Sequence, residues 1–292
     1  MIQILGLITL FILIFGALLT AGDGILHALG IELVLICGAA FGILIISNAS
    51  NTSARALSGF YRAVRGQHWI RSDYLSLLML LNTLCGTARR GGIIAIEADI
   101  ESPRTSERFI SVPRILAHDG ARELIFDTFR LMSLDLSDKQ RAKDAMQRAI
   151  EREYEHEMRP VNALHALADA LPALGIVAAV IGIIRAMGVI DQSPSVIGAM
   201  MAAALLGTFL GVFLAYGVVG PVASRLGQIV EADERFLLVI QTVLTAHLDG
   251  VAPLTAIELG RAEVPAELSI TSDKLRHALQ ASRFDPQRTE AA

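Results

Sequence analysis

Residues 168–221 read ADALPALGIVAAVIGIIRAMGVIDQSPSVIGAMMAAALLGTFLGVFLAYGVVGP. Two apolar runs, residues 170–190 and 195–222, are parted only by Asp191-Gln192-Ser193-Pro194. Each reaches the roughly 20 residues a helix needs to cross a bilayer, and so short a connector predicts a helical hairpin. Outward from this stretch the same pattern recurs once. Residues 1–20, MIQILGLITLFILIFGALLT, carry no charge, and residues 31–47 form a shorter apolar run with Glu32 near its start. That run spans a membrane if Glu32 sits at the interface. No basic segment precedes the first run, which argues against a cleaved signal peptide. The expected fold is an all-α integral membrane protein with four transmembrane helices in two hairpins, residues 1–20 with 31–47 and residues 170–190 with 195–222. A large, mainly helical cytoplasmic domain, residues 51–168, lies between the second and third spans, and a cytoplasmic C-terminal region, residues 223–292, follows.

Composition agrees with a membrane class. The 292 residues are 53% hydrophobic with a mean hydropathy of +0.53, above the usual soluble range. A net charge of −4 gives no attraction for nucleic acid. Cys37 and Cys85 match neither a disulfide framework nor a metal spacing. No nucleophile–base set, metal cluster or phosphate loop is present, so an enzyme reading has no support.

Of the 25 Lys and Arg residues, 17 lie in residues 51–168, 7 follow residue 222, and Arg185 lies in the third run. Neither short connector carries one. By the positive-inside tendency the connectors face outward and both long polar segments face the cytoplasm; Arg55, Arg62, Arg65 and Arg225, nearest the spans, decide this.

In the polar block, Tyr74, Leu75, Leu77, Leu78, Leu81, Leu84 and Cys85 recur near a period of 3.6, which predicts helix. Within Thr87 to Pro103, the Gly91-Gly92 pair ends or bends that helix, since each glycine costs about 1 kcal/mol there relative to alanine. Arg89 and Glu97 would flank the bend with opposite charges, either as a partner contact or as ordinary surface charge.

Buried ionisable groups in spans mark ion pathways, and the sequence places none at mid-membrane; Arg185 lies near the outer end of its span. Without such a carboxylate the chain cannot by itself bind and release a proton along a pathway. The third and fourth spans do hold small residues at close-packing spacing: Gly175, Ala178, Ala179 and Gly182, then Gly207, Gly211 and Ala215. These faces pack either within the chain's own bundle or around a partner helix. Thr208 is the hydroxyl of the mid fourth span, and either lines a pore or bonds its own helix. Pro172 falls at the start of the third span, where a first helical turn accepts proline. If the helix continues past Pro221, a backbone hydrogen bond is lost there and a kink follows.

Residues 168–188 and 205–221, the segment RRGGIIAIEADIESP with PRILAHDGARELIFD after it, and residues 247–261, HLDGVAPLTAIELGR, resemble the MotA/TolQ/ExbB proton channel family on its flagellar stator branch. The resemblance covers nearly the whole chain. It implies an inner-membrane, multi-pass subunit of the flagellar motor with both termini cytoplasmic, forming a homopentamer around two copies of MotB. The MotB helix would supply the ion-binding aspartate, and Gly175, Ala178, Gly182, Gly207, Gly211 and Ala215 would pack around that partner. Arg89 and Glu97 match the family's charged pair that engages the rotor protein FliG, while the adjacent Arg90 leaves open which arginine makes the contact. Pro172 and Pro221 match the prolines that couple ion flow to movement. Thr208 matches the pore threonine. Ala179 stands where sodium-driven relatives carry a second threonine, so the transported ion is expected to be a proton, with no cofactor. A TolQ/ExbB-type energiser subunit, which has three spans, and a non-conducting membrane scaffold are the alternatives.

Overall fold

The computed structural model describes residues 2–20, 23–66, 69–102, 105–134 and 139–284. Residues 21–22 of the first connector, Pro103 and the end of the C-terminal region, residues 285–292, lie outside them. In chain order the helices are α1 (Ile2–Leu19), α2 (Asp23–Ser47), α3 (Ser50–Arg65), α4 (Arg71–Gly91), α5 (Ile94–Glu101), α6 (Glu107–Ile110), α7 (Pro113–Leu116) and α8 (Asp119–Leu134). They continue as α9 (Lys139–Met187), α10 (Pro194–Phe213), a π-helical turn (Leu214–Val219), α11 (Gly220–Leu248), α12 (Pro253–Ala262) and α13 (Ser272–Phe284). The described residues contain no β-strand. Three helical stretches among them are long and apolar enough to cross a membrane: Ala28–Ser47, Lys139–Met187 and Pro194–Leu248.

The chain divides into two compact units, Met1–Gly66 with Glu157–Ile229, and Gln67–His156 with Val230–Ala292. In the first, α2 packs along α10 and α1 touches α2 and the π-helical turn. Phe11 stacks on Phe15 with centroids 5.3 Å apart and meets Phe213 edge-on at 5.4 Å, geometries that add to plain burial of the rings. Helix α3 presents Ser53, Ala56, Gly59 and Ala63 inward and leaves Leu57, Tyr61 and Val64 exposed. Its Arg55 and Arg62 both form ion pairs with Glu157 of α9.

The second unit has an apolar core. Tyr74, Leu77, Leu78, Leu81, Leu84 and Cys85 of α4 are buried, the face that their spacing predicts. Asp73 accepts the Ile70 N–H at 2.9 Å and satisfies one of the open donors at the helix start, while Arg114 pairs with its carboxylate at 2.8 Å. Trp69 stacks on Phe236 with centroids 3.6 Å apart, and Tyr74 meets the same ring edge-on. Burial pushes the Tyr74 hydroxyl up to about 12, with Asp233 adding to it, and burial pushes the Cys85 thiol up to about 12. Cys85 is therefore an inert packing residue.

One sequence expectation about a helix end changes here. Pro172 lies in the interior of the 49-residue α9, together with Pro160, and not at a first turn. The apolar run begins near residue 170, but the polar stretch before it is equally helical, so the change in polarity marks no helix start. In the C-terminal region, Ala256, Ile257 and Gly260 of α12 and Leu275 and Leu279 of α13 are buried.

Candidate functional site in the helical hairpin

The glycines quoted above bring the second half of α9 and α10 into backbone contact. A Cβ placed on Gly175 would lie 2.9 Å from the Gly207 carbonyl oxygen and 3.2 Å from the Thr208 Cα; one on Gly211 would lie 2.7 Å from the Leu171 carbonyl oxygen. Gly182 meets Ala204 in the same way, and Gly207 meets Ala178 and the Ala179 nitrogen. At Gly175 and Gly211 nothing larger than hydrogen fits between the two backbones, the condition for close helix association. Gly175, Ala178, Gly182, Gly207 and Gly211 thus pack inside the chain's own hairpin. Ala215 is fully buried in the π-helical turn.

Ala179 and Thr208 flank this contact on the two helices, both half-buried. The hydroxyls of Thr9, Thr83 and Thr128 donate to the carbonyl four residues back. Thr208 makes no such bond among the described residues, so its hydroxyl stays available to another group.

Sequence reasoning missed Glu32. Expected at the membrane interface, it is only 5% exposed, and its Oε2 would lie 3.2 Å from a Cβ on Gly207. That oxygen has no hydrogen-bond partner among the described residues, and Arg185 of α9 is the charge that acts on it. The sequence reading gave Glu32 no neighbour inside the protein, and the structure supplies one: α2 starts at Asp23, so Glu32 lies more than two turns inside the helix, and α2 packs along α10. A buried carboxyl with no bond to satisfy it is costly unless function retains it.

Pro221 follows the π-helical turn, and the helix continues through it to Leu248. Its missing N–H would leave an α-turn one bond short, and its ring would strike the carbonyl four residues back. The wider turn absorbs both problems, with the Gly220 N–H donating to the Ala215 carbonyl five residues earlier. Such π-turns collect at functional sites.

In the second unit, α4 ends at Gly91 and Gly92 caps it with φ +72°, after which α5 carries an exposed Glu97 in its first turn. Arg89 and Glu97 therefore flank the bend as expected. The guanidinium of Arg89 is also engaged: its Nη1 donates to the carbonyls of Val251 at 2.9 Å and Gly250 at 3.3 Å. Arg90 is exposed. Burial, with the Arg89 charge added, holds the His247 imidazole below its usual range. Among the described residues no group of His, Cys, Asp or Glu could hold a metal ion.

Fold and site together define a helical membrane subunit built around a close-packed apolar hairpin. Residues 116–236 match the model of the MotA/TolQ/ExbB proton channel family, and residues 4–92 match that of the motility protein A N-terminal region. Motility protein A of Escherichia coli (strain K12) is 36% identical over 263 residues, 89% of each chain. Among solved structures, that of C. jejuni MotAB matches with a TM-score of 0.72 over 90% of this chain and 95% of that one at 19% identity. The flagellar MotAB stator complex from Bacillus subtilis matches at 0.71 over 94% and 98% at 20% identity. The chain belongs to the motility protein A branch of the MotA/TolQ/ExbB proton channel family, the stator subunits of the flagellar motor.

Proposed function

We propose that the chain assembles with a MotB-type partner into a proton-conducting complex and converts ion-motive force into torque on a FliG-type rotor protein. The observation that carries this reading is the close α9–α10 contact, in which the Glu32 carboxyl and the Ala179 backbone meet at Gly207 and the Thr208 backbone lies against Gly175. The partner's helix supplies the aspartate that binds the ion, and the chain supplies the wall. Five copies surround two partner chains in the inner membrane. α1 is the fourth span beside the three longer ones, and both termini are cytoplasmic. The likeness to solved MotAB structures supports the partner, and the placement of Lys and Arg supports the orientation.

A proton enters from the outer face, passes Glu32 and Thr208, and neutralises the partner aspartate. Neutralisation removes the cost of moving that carboxylate past apolar surface, so the partner helix changes the face it presents and the ring steps. Pro172 and Pro221, inside continuous helices, are the bends through which the step reaches the polar domain. Arg90 and Glu97, with Arg89 positioning the surface they share, press on the rotor. Ala179 offers no hydroxyl to a sodium ion, which favours a proton. No catalysis is assigned to the chain.

Coexpression with the partner tests the reading: cytoplasmic acidification should appear with the intact partner and vanish when its membrane aspartate becomes asparagine. A leak that ignores this substitution would leave a scaffold role. Swimming speed at fixed pH should not follow external sodium.

A further inference from the structure

In the first unit, α1, α3 and the segment after α10 enclose a cavity of about 400 Å³ with almost wholly apolar walls. Leu10 of α1, Val64 of α3, Tyr216 and Val218 of the π-helical turn, and Pro221 and Arg225 of α11 line it. Tyr216 is 72% exposed, although it belongs to the most apolar part of the chain. Arg225 Nη1 donates to Gln228 Oε1 at 3.0 Å, but its Nε is buried with no hydrogen-bond partner among the described residues. The guanidinium as a whole is half-buried and has N–H donors to offer an anion. An apolar slot with an arginine one helical turn beyond Pro221 has the order of chemistry found across one bilayer leaflet, acyl chain and then headgroup.

We propose that this groove holds one acyl chain of an anionic phospholipid of the cytoplasmic leaflet, with the lipid phosphate on Arg225. The lipid fills the space beside the π-helical turn and so supports the segment that carries Pro221. The inference rests on the orientation given under the proposed function, which places Arg225 at the cytoplasmic headgroups. Arg55 and Arg62 are occupied by Glu157, so Arg225 is the cation that the groove itself presents.

Native mass spectrometry of the full chain purified with its partner, titrated with phosphatidylglycerol or phosphatidylcholine, tests this. The intact complex should retain phosphatidylglycerol preferentially, and Arg225→Gln should lower that retention about fivefold, the effect of one basic residue at an anionic surface, leaving phosphatidylcholine unchanged. Arg225→Lys should keep the preference. Val218→Phe should expel both lipids while the complex still assembles. Equal retention of the two lipids by the intact complex, or an undiminished preference in Arg225→Gln, would overturn the proposal. A photoreactive p-benzoyl-phenylalanine at position 216 should capture lipid; capture of a second copy of the chain would show the groove to be a protein interface and overturn it as well. Should the groove take no lipid while the aspartate-dependent proton leak persists, this inference falls and the stator reading stands.

Discussion

The Oε2 of Glu32 lies 3.2 Å from where a side chain on Gly207 would begin. Glycine at 207 thus serves two neighbours at once, the Ala178 methyl of α9 and an acid from α2. An acid of the chain's own therefore packs against the helix that carries Thr208, in addition to any acid a partner brings.

Glu32→Gln keeps the shape and removes the charge. It should leave the chain abundant in the membrane and cut proton leak and swimming speed together, whereas Glu32→Asp should retain part of both. Membrane abundance by immunoblot, beside leak and speed, separates this from misfolding. Normal speed in Glu32→Gln would remove Glu32 from the pathway.

Gly211→Ala should open the hairpin. The added methyl would lie 2.7 Å from the Leu171 carbonyl oxygen and 2.8 Å from the Gly175 Cα, and backbone on both sides cannot rotate away. Overpacking of this kind costs about 1–3 kcal/mol, so the melting temperature in detergent should drop. Gly38→Ala, inside α2 with nothing within 4 Å of the added methyl, should not lower it, since alanine is favoured over glycine in a helix by about 1 kcal/mol.

Pro221→Ala restores a backbone donor and removes the ring that the π-helical turn accommodates. The turn should relax toward regular helix and shift the register of the helix after it. Torque is expected to fall while proton leak through the coexpressed complex persists, and a parallel loss of both would place Pro221 in the pathway and not in coupling.

The two arginines should separate. Arg89→Ala frees the carbonyls of Gly250 and Val251, so amide exchange should rise at residues 249–251 as motility falls. Arg90→Ala should leave that exchange as it was, and any motility loss would then report the rotor contact. Unchanged exchange in Arg89→Ala would mean that the guanidinium does not hold this loop.

The second unit should lose stability on acidification. His247 is held below its ordinary value of 6.5 by burial and then by the Arg89 charge. The unfolded chain therefore binds the proton first as pH falls below that value, and stability declines from there through the folded-state pKa. Melts at about pH 7.5 and about pH 5.5, which bracket the ordinary histidine value, should differ more in the wild type than in His247→Gln. An equal difference would exclude His247 as the cause.

The segment of residues 168–221 determined much by itself. Length and hydropathy required spans, a connector of four residues required a hairpin, and glycine at helical spacing required close backbones. Each follows from local geometry, since a helix fixes which residues share a face. The Gly91-Gly92 break and the buried face of α4 were legible for the same reason.

Tertiary structure decided which surface each face meets. The small residues fit a partner helix or their own hairpin equally well on spacing, and the contacts of Gly175, Gly182, Gly207 and Gly211 show which of them meet across the hairpin. The burial of Glu32 was not legible because the pattern of α2 does not say that α10 packs along it. Arg89 looked like a free surface charge because its acceptors, the carbonyls of Gly250 and Val251, lie about 160 residues away. Periodicity within one helix carries no information about so distant a partner.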